Sequence, residues 1–290
     1  MKFLLINGSK AHPNAAKAII AEAKKHFSTV LSVPVSKIRI ECEEGENRIF
    51  YKDTDLTTFD VCFPRLFGED FTFGSVVLDI LENSDVYMPT GLDAFQISSH
   101  KYYTTKILAK IGIPVPATAL SVGEETATRL AHRLGFPLVV KLLSGFGGKG
   151  VMMVQNEQEF KPLFDTFEVF KEFLLMQEFM DSRSEDLRCY VFGDEIFAVR
   201  RKGGEGEWRA NVSRGGTAEI IEFPEKYKKI VRDSAKILGM EFGAVDILET
   251  RKGPVVVEAN FSPGFIIKFF GDRFVGEAIR EMYNKARELG

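Results

Sequence analysis

The chain has 290 residues, of which 45% are hydrophobic and 27% charged, an ordinary globular balance and a length suited to two or three units of roughly 100–200 residues each. A net charge of −3 and a pI of about 5.9 argue against a protein that coats nucleic acid or an anionic membrane. No apolar run approaches the ~20 residues of a membrane span, and Cys42, Cys62 and Cys189 are an odd, scattered set that reads as reduced thiols in a cytoplasmic protein.

The opening MKFLLING reads as a first strand at 2–6 with a turn at Asn7-Gly8-Ser9, not as a signal peptide. Ala16, Ile19, Ile20 and Ala23 recur at helical spacing within 14–27. A strand over 60–67 and a helix over 74–84 follow, so 1–95 reads as an α/β unit with a mainly parallel sheet. One long polar helix is predicted over 93–112, stopped by Gly112 and Pro114. Next come an extended IPVPATALS segment, a helix over 124–135, and the strand FPLVVKLL (136–143). The glycine loop SGFGGKG (144–150) then leads into the strand VMMV (151–154). Asn156 with Glu159 starts a helix in the manner of a capping box. LLMQEFM (174–180) reads as a strand, and DLRCYVF and EIFAVRR flank a hairpin turn at Gly193-Asp194. Residues 203–216 are a loop and 224–238 an amphipathic helix. GAVDILE (243–249) and VVVEANF (255–261) make a last hairpin, and 272–289 a closing helix.

The last hairpin carries the clearest chemistry. Period-two geometry puts Glu258 and Asn260 on one face of their strand, and a tight turn brings Asp246 alongside. Carboxylates in an apolar strand cost desolvation unless a cation compensates, and Mg²⁺ takes such oxygen ligands together with phosphate and water. A solvated face would account for Asp246 and Glu258 equally well. Against it, neither strand shows a polar face, and Asn260 adds a neutral oxygen.

Lys141 interrupts an apolar strand, where an unpaired lysine is rarely buried, so an anion is its expected partner. Gly147, Gly148 and the rest of the glycine loop can cradle phosphate through backbone N–H groups. No Ser or Thr follows Lys149, so the loop is not a Walker A motif. Gln177, Glu178 and Phe179 form a connector able to present backbone groups to a purine, or an ordinary strand end. Arg188, Arg200, Arg201, Arg209, Asn211 and Arg214 crowd a glycine-rich stretch that suits an anionic substrate. A solvated basic surface is the plainer alternative, and RNA contact with stacking on Trp208 is another.

In this order, LVVKLL with its glycine loop, MQEF, DLRCYVFGDEI, WRANVSRGG and GAVDIL with VVVEANFSPG resemble the ATP-grasp ligases, specifically the RimK-like α-L-glutamate ligases. The resemblance covers about residues 90–270. It implies an α/β fold of ATP-grasp type. An N-terminal Rossmann-like domain (1–95) would precede a central ATP-grasp subdomain (96–175) and a C-terminal one with the metal site (176–290), ATP lying between antiparallel sheets. By resemblance, Lys101, Lys141, Gly147, Gly148, Gln177, Glu178, Phe179, Asp186, Arg209 and Asn211 contact ATP. Asp246, Glu258 and Asn260 hold Mg²⁺ or Mn²⁺. Lys141, Arg201 and Arg214 serve the chemistry, with Arg214 facing the acyl phosphate. The implied reaction adds an amino acid, glutamate in this family, to the carboxylate of a protein C-terminus or a coenzyme tail, in a cytoplasmic homo-oligomer without nucleic acid or membrane. Related readings are a lysine-biosynthesis or D-alanyl-D-alanine type of ligase, or a nucleotide-binding regulator. After Ser262-Pro263-Gly264, relatives often continue with glycine and acidic residues, whereas this chain reads FIIKFFGDRF. That departure points to an acceptor of a different kind.

Overall fold

The computed structural model describes residues 1–143, 150–210, 215–264 and 267–289, with only the backbone of 267–273. Strand β1 (Lys2–Asn7) buries Phe3, Leu4, Leu5 and Ile6 on both faces, as a central parallel strand must. It lies between β2 (Thr29–Pro34) and β6 (Val61–Arg65), parallel to both. Helix α1 (Pro13–Ala23) starts with Pro13 and is capped by the His12 side chain, which accepts from the Asn14 N–H. A second, antiparallel sheet of β3 (Ile38–Glu43), β4 (Glu46–Tyr51) and β5 (Thr54–Asp55) follows. Its first turn uses Gly45 at φ +88°. Strand β2 and these hairpins were not among the predicted elements.

Helix α2 (Phe71–Glu82) precedes a correction. The helix predicted over 93–112 is two helices, α3 (Leu92–Ser99) and α4 (Lys101–Lys110). They break at His100, whose φ −117° and ψ +97° are extended. The reason is local. The Ser98 hydroxyl bonds back to the Ala94 carbonyl at 2.6 Å, and His100 Nδ1 accepts from the Tyr103 N–H to cap a new helix. The break makes Lys101 the first residue of α4.

Strands β7 (Thr118–Ser121), β8 (Leu138–Lys141), β9 (Val151–Val154) and β10 (Leu174–Glu178) form an antiparallel sheet in the order β7-β10-β8-β9. Helices α5 (Glu124–Leu134) and α6 (Glu157–Val169) cover it. Asn156 caps α6, and the Glu159 carboxylate reaches back to the Gln155 N–H. Ala127, Ala131, Leu138, Val140, Phe160, Phe164 and Met176 give this unit a core of its own.

The remaining sheet, in the order β13-β12-β11-β14-β15, holds β11 (Glu185–Phe192), β12 (Glu195–Lys202), β13 (Thr217–Ile221), β14 (Phe242–Thr250) and β15 (Gly253–Asn260). Period-two alternation divides its faces. Leu187, Cys189, Val191, Val245 and Ile247 join a core with Val231 and Ala235 of helix α7 (Lys228–Ile237). Tyr190, Phe192, Phe242 and Ala244 face the other way. There they pack with Phe274, Val275, Ala278 and Ile279 of helix α8 (Ile267–Leu289) and with Phe3, Leu5 and Ile19 of the first unit. Both of these cores mix residues of the first unit with residues of this sheet. Among the described residues, no helix is long and apolar enough to cross a membrane.

Candidate active site

The face of the β13-β12-β11-β14-β15 sheet that is apolar under α8 turns polar toward its far end. Three cross-strand pairs make the change. Asp186 stands opposite Arg201, Arg188 opposite Asp246, and Asp246 opposite Glu258. Directly opposed side chains in antiparallel strands are close enough to interact. Arg201 grips Asp186 at both oxygens, 2.6 and 2.5 Å. Arg188 grips Asp246 the same way, at 2.8 and 2.7 Å. Arg201 also donates to Asp246 Oδ2 at 3.0 Å and so joins the two pairs.

Asp246 is only 2% exposed. Burial alone would raise its pKa, but the two arginines outweigh burial and hold it at about 2. The solvated-face alternative for Asp246 is therefore excluded. Asp186 goes the other way. Burial, helped by the nearby Asp246 charge, lifts it to about 6 against the pull of Arg201. Next to Asp246 the pairing of β14 and β15 slips by a residue, since Asp246 faces Glu258 while Ile247 faces Val256. Such a bulge re-aims side chains. Asn260 lies two residues along from Glu258, with its Nδ2 3.5 Å from Asp246 Oδ2. Among the described residues, none donates a hydrogen bond to the half-buried Glu258 carboxylate.

Across the cleft, Lys141 ends β8 and donates to Gln177 Oε1 at 2.6 Å. Gln177 Nε2 donates in turn to Thr118 Oγ1 at 3.0 Å. Burial lowers the Lys141 pKa to about 8, and Lys101 pushes the same way, against the attraction of Glu258 and Asp246. The cleft has about 920 Å³ of space, including its open mouth. It gathers Lys141, Gln177, Glu178, Phe179, Asp186, Arg201, Arg209, Asp246 and Glu258. Phe179 meets Trp208 edge-on at 6.0 Å between ring centres. Arg209 grips Glu207 with two nitrogens and bonds the Val151 carbonyl at 2.9 Å with the third. That last bond ties the segment after β12 to the glycine-loop hairpin.

Glu258 and Asn260 also line a second cavity, on the side of the first unit, where Leu143 lies too. Lys101 Nζ donates to the carbonyl of Leu143, a residue of the second cavity's lining, at 3.4 Å. Gly147, Gly148, Asn211 and Arg214 lie outside the described residues. Composition suggested substrate recognition for the arginines, yet Arg188, Arg201 and Arg209 bond the protein's own carboxylates, and Arg200 reaches Glu249 at 3.3 Å. The clamp of Arg188 on Asp246 was missed. The alternation of Asp186, Arg188 and Tyr190 along β11 was its available signal.

The donor set suits a hard cation. Among the described residues no three His, Cys, Asp or Glu side chains converge as a metal cage. Mg²⁺ does not need one, because it is commonly held by one or two carboxylates plus substrate phosphates and water. Glu258, which accepts no hydrogen bond among the described residues and stands beside Asp246 and Asn260, meets that need.

The model of the RimK-like ATP-grasp domain matches residues 98–270. The chain belongs to the RimK-like ATP-grasp family. It is accordingly an ADP-forming carboxylate–amine ligase, and the fold agrees with that family. A curated relative from Legionella pneumophila (strain Corby), a probable alpha-L-glutamate ligase, is 33% identical over 292 residues, 99% of this chain and 97% of its own length. Among solved structures, the ATP-grasp ligase PsnB, complexed with a phosphomimetic variant of minimal precursor, Mg and ADP, aligns with a TM-score of 0.74 at 16% identity, covering 98% of each chain. D-alanine–D-alanine ligase from Bacillus anthracis, complexed with ATP, aligns at 0.69 and 19%, covering 100% of this chain and 99% of its own.

Proposed function

We propose that this ligase uses ATP and Mg²⁺ to join the amine of glutamate to the terminal carboxylate of a protein or coenzyme tail. The supporting observation is that Glu258 lies in the wall shared by two cavities. On this reading one would hold the nucleotide and the other the acceptor, so the γ-phosphate and the acceptor carboxylate would meet at Glu258. The name of the Legionella relative supports glutamate as the amine.

In the first step an acceptor carboxylate oxygen attacks the γ-phosphorus. The bond from that phosphorus to the β-phosphate oxygen breaks, and ADP leaves with the electron pair. Lys141 and Lys101 neutralise charge on the transferring group. Mg²⁺, held by Glu258 and Asn260 with Asp246, would add positive charge at the same place. In the second step the glutamate amine attacks the acyl carbon, phosphate departs and the nitrogen loses a proton. Phe179 and the neighbouring Trp208 hold the adenine end, with backbone groups of Gln177 and Glu178. Gly147, Gly148 and Asn211 belong to the nucleotide's surroundings, and Arg214 to the acyl phosphate. Arg201 acts by fixing Asp186 and Asp246. The protein works as a cytoplasmic homo-oligomer in units bounded near residues 95 and 175.

ADP release is the test. It should require an amino acid and an acceptor acid together, with glutamate the best amine. If no pair of amine and acid raises ADP release above the ATP-only rate, this reading fails.

A further inference from the structure

The second cavity has a composition of its own. From its inner end, where Glu258 and Asn260 stand, a row of aromatic rings leads outward. Phe261 and Phe95 are 4.9 Å apart between ring centres, and Phe95 and Phe71 are 5.9 Å apart. Phe95 is 1% exposed and Phe71 is 40% exposed, so the row begins in the core and ends at an open aromatic face. Along the row the charged groups are paired among the described residues, and the spare donors are neutral: the Ser262 hydroxyl is buried with no hydrogen-bond partner among the described residues. Among the described residues lining the cavity, the lysine is Lys10, ion-paired with Glu69. The Ser98 hydroxyl donates to the Ala94 carbonyl. His100 uses its Nδ1 to cap α4 and lays its ring against Tyr103 at 4.4 Å.

A second carboxylate entering this space would leave water for neutral donors and, among the described lining residues, a lysine already paired with Glu69, which is costly. An apolar group would cover the ring row instead. We infer that the acceptor is a monoacid with an aromatic or large aliphatic group on the carbon next to its carboxylate, such as a peptide ending in Phe or Leu. Its carboxylate sits at Glu258 and Asn260, and its side chain lies along Phe261, Phe95 and Phe71. This rests on the ligase reading for the end at which the carboxylate lies.

Binding tests the inference apart from turnover. Calorimetry on the full chain with ADP and Mg²⁺ should show N-acetyl-L-phenylalanine binding at least about tenfold tighter than N-acetyl-L-glutamate. Phe71→Ala, a change at an exposed side chain, should remove most of that difference. It should leave ADP affinity, read from Trp208 fluorescence, unchanged. Equal or tighter binding of N-acetyl-L-glutamate overturns the inference, as does an unaltered preference in Phe71→Ala. Turnover separates the two readings. Selective binding without ADP release in the presence of ATP and amino acids upholds the pocket and defeats the ligase reading. ADP release with N-acetyl-L-glutamate but not N-acetyl-L-phenylalanine upholds the ligase and defeats the pocket.

Discussion

The two sheets that face each other across the cleft carry charge in opposite ways. The β7-β10-β8-β9 sheet presents Lys141, whose partner is a neutral amide, Gln177. The facing sheet presents Asp186, Arg188, Arg201 and Asp246, cross-bonded into a buried network. The lysine lies near the pH at which it loses its charge, while Asp246 is held ionised far below that range. On the proposed reading, one side would be an adjustable contact for a phosphate. The other is a fixed frame that keeps a carboxylate charged and in place. A difference in packing runs alongside. The lysine's sheet has its own core, whereas the network's sheet shares cores with the first unit.

The largest effect should come from breaking the frame. Asp246→Asn leaves Arg188 and Arg201 buried against a neutral amide, and the loss of one partner of such a pair costs about 3–5 kcal/mol. Chemical denaturation should show it, and a loss below about 1 kcal/mol would mean the arginines find other anions. Glu258→Gln keeps the shape and removes a ligand charge. It should lower ADP release by about 100-fold, about 2.7 kcal/mol, with little change in melting temperature. Unchanged release at limiting Mg²⁺ would take Glu258 out of the metal site.

Gly8→Ala tests the turn that carries Lys10. Its added Cβ would stand 2.2 Å from Asp70 Oδ2 and 2.8 Å from the Arg65 carbonyl. The Asp70 carboxylate also accepts the Ser9 N–H, so relief would disturb the cavity's mouth. A destabilisation of about 1–3 kcal/mol is expected in a thermal melt, and a neutral result would show that the turn can shift.

The smallest effect sharpens the lysine side. Lys141 is cationic below about pH 8 and neutral above it, and phosphate favours the cation. ADP affinity should therefore weaken as pH rises from 7 to 9, by up to about tenfold. Trp208, the chain's one tryptophan, lines the cleft and supplies the signal. A flat profile would place the phosphates away from Lys141.

Much of this frame was legible in the sequence. Carboxylates set in two nearly apolar strands, with Glu258 and Asn260 at period-two spacing, revealed the acidic hairpin, and the structure pairs Asp246 with Glu258 directly. Lys141 stood out as a lysine in an apolar strand, but the anion expected beside it is not its described hydrogen-bond partner, which is the neutral Gln177 amide. The clamp on Asp246 was not. Arg188 reads as one member of a basic cluster until strand order puts β11 beside β14, and strand order depends on contacts far apart in sequence. The break at His100 was hidden for a different reason. It depends on which hydroxyl bonds which carbonyl, and helical periodicity does not encode that choice. Strands β3 to β5 were missed because stretches such as ENRIFY show too little alternation to reveal a face.

Helix α8 has a consequence for the chain during synthesis. Its Phe274, Val275 and Ile279 share one core with Phe3, Leu5 and Ile19, so β1 is synthesised long before the helix that completes its core. Until then α1 alone covers that side of β1, and the core they share stays open. Expressed by itself, the segment 1–95 should be sticky and need chaperone protection. The rate of reaching the native state should be set by this long-range closure rather than by any local hairpin.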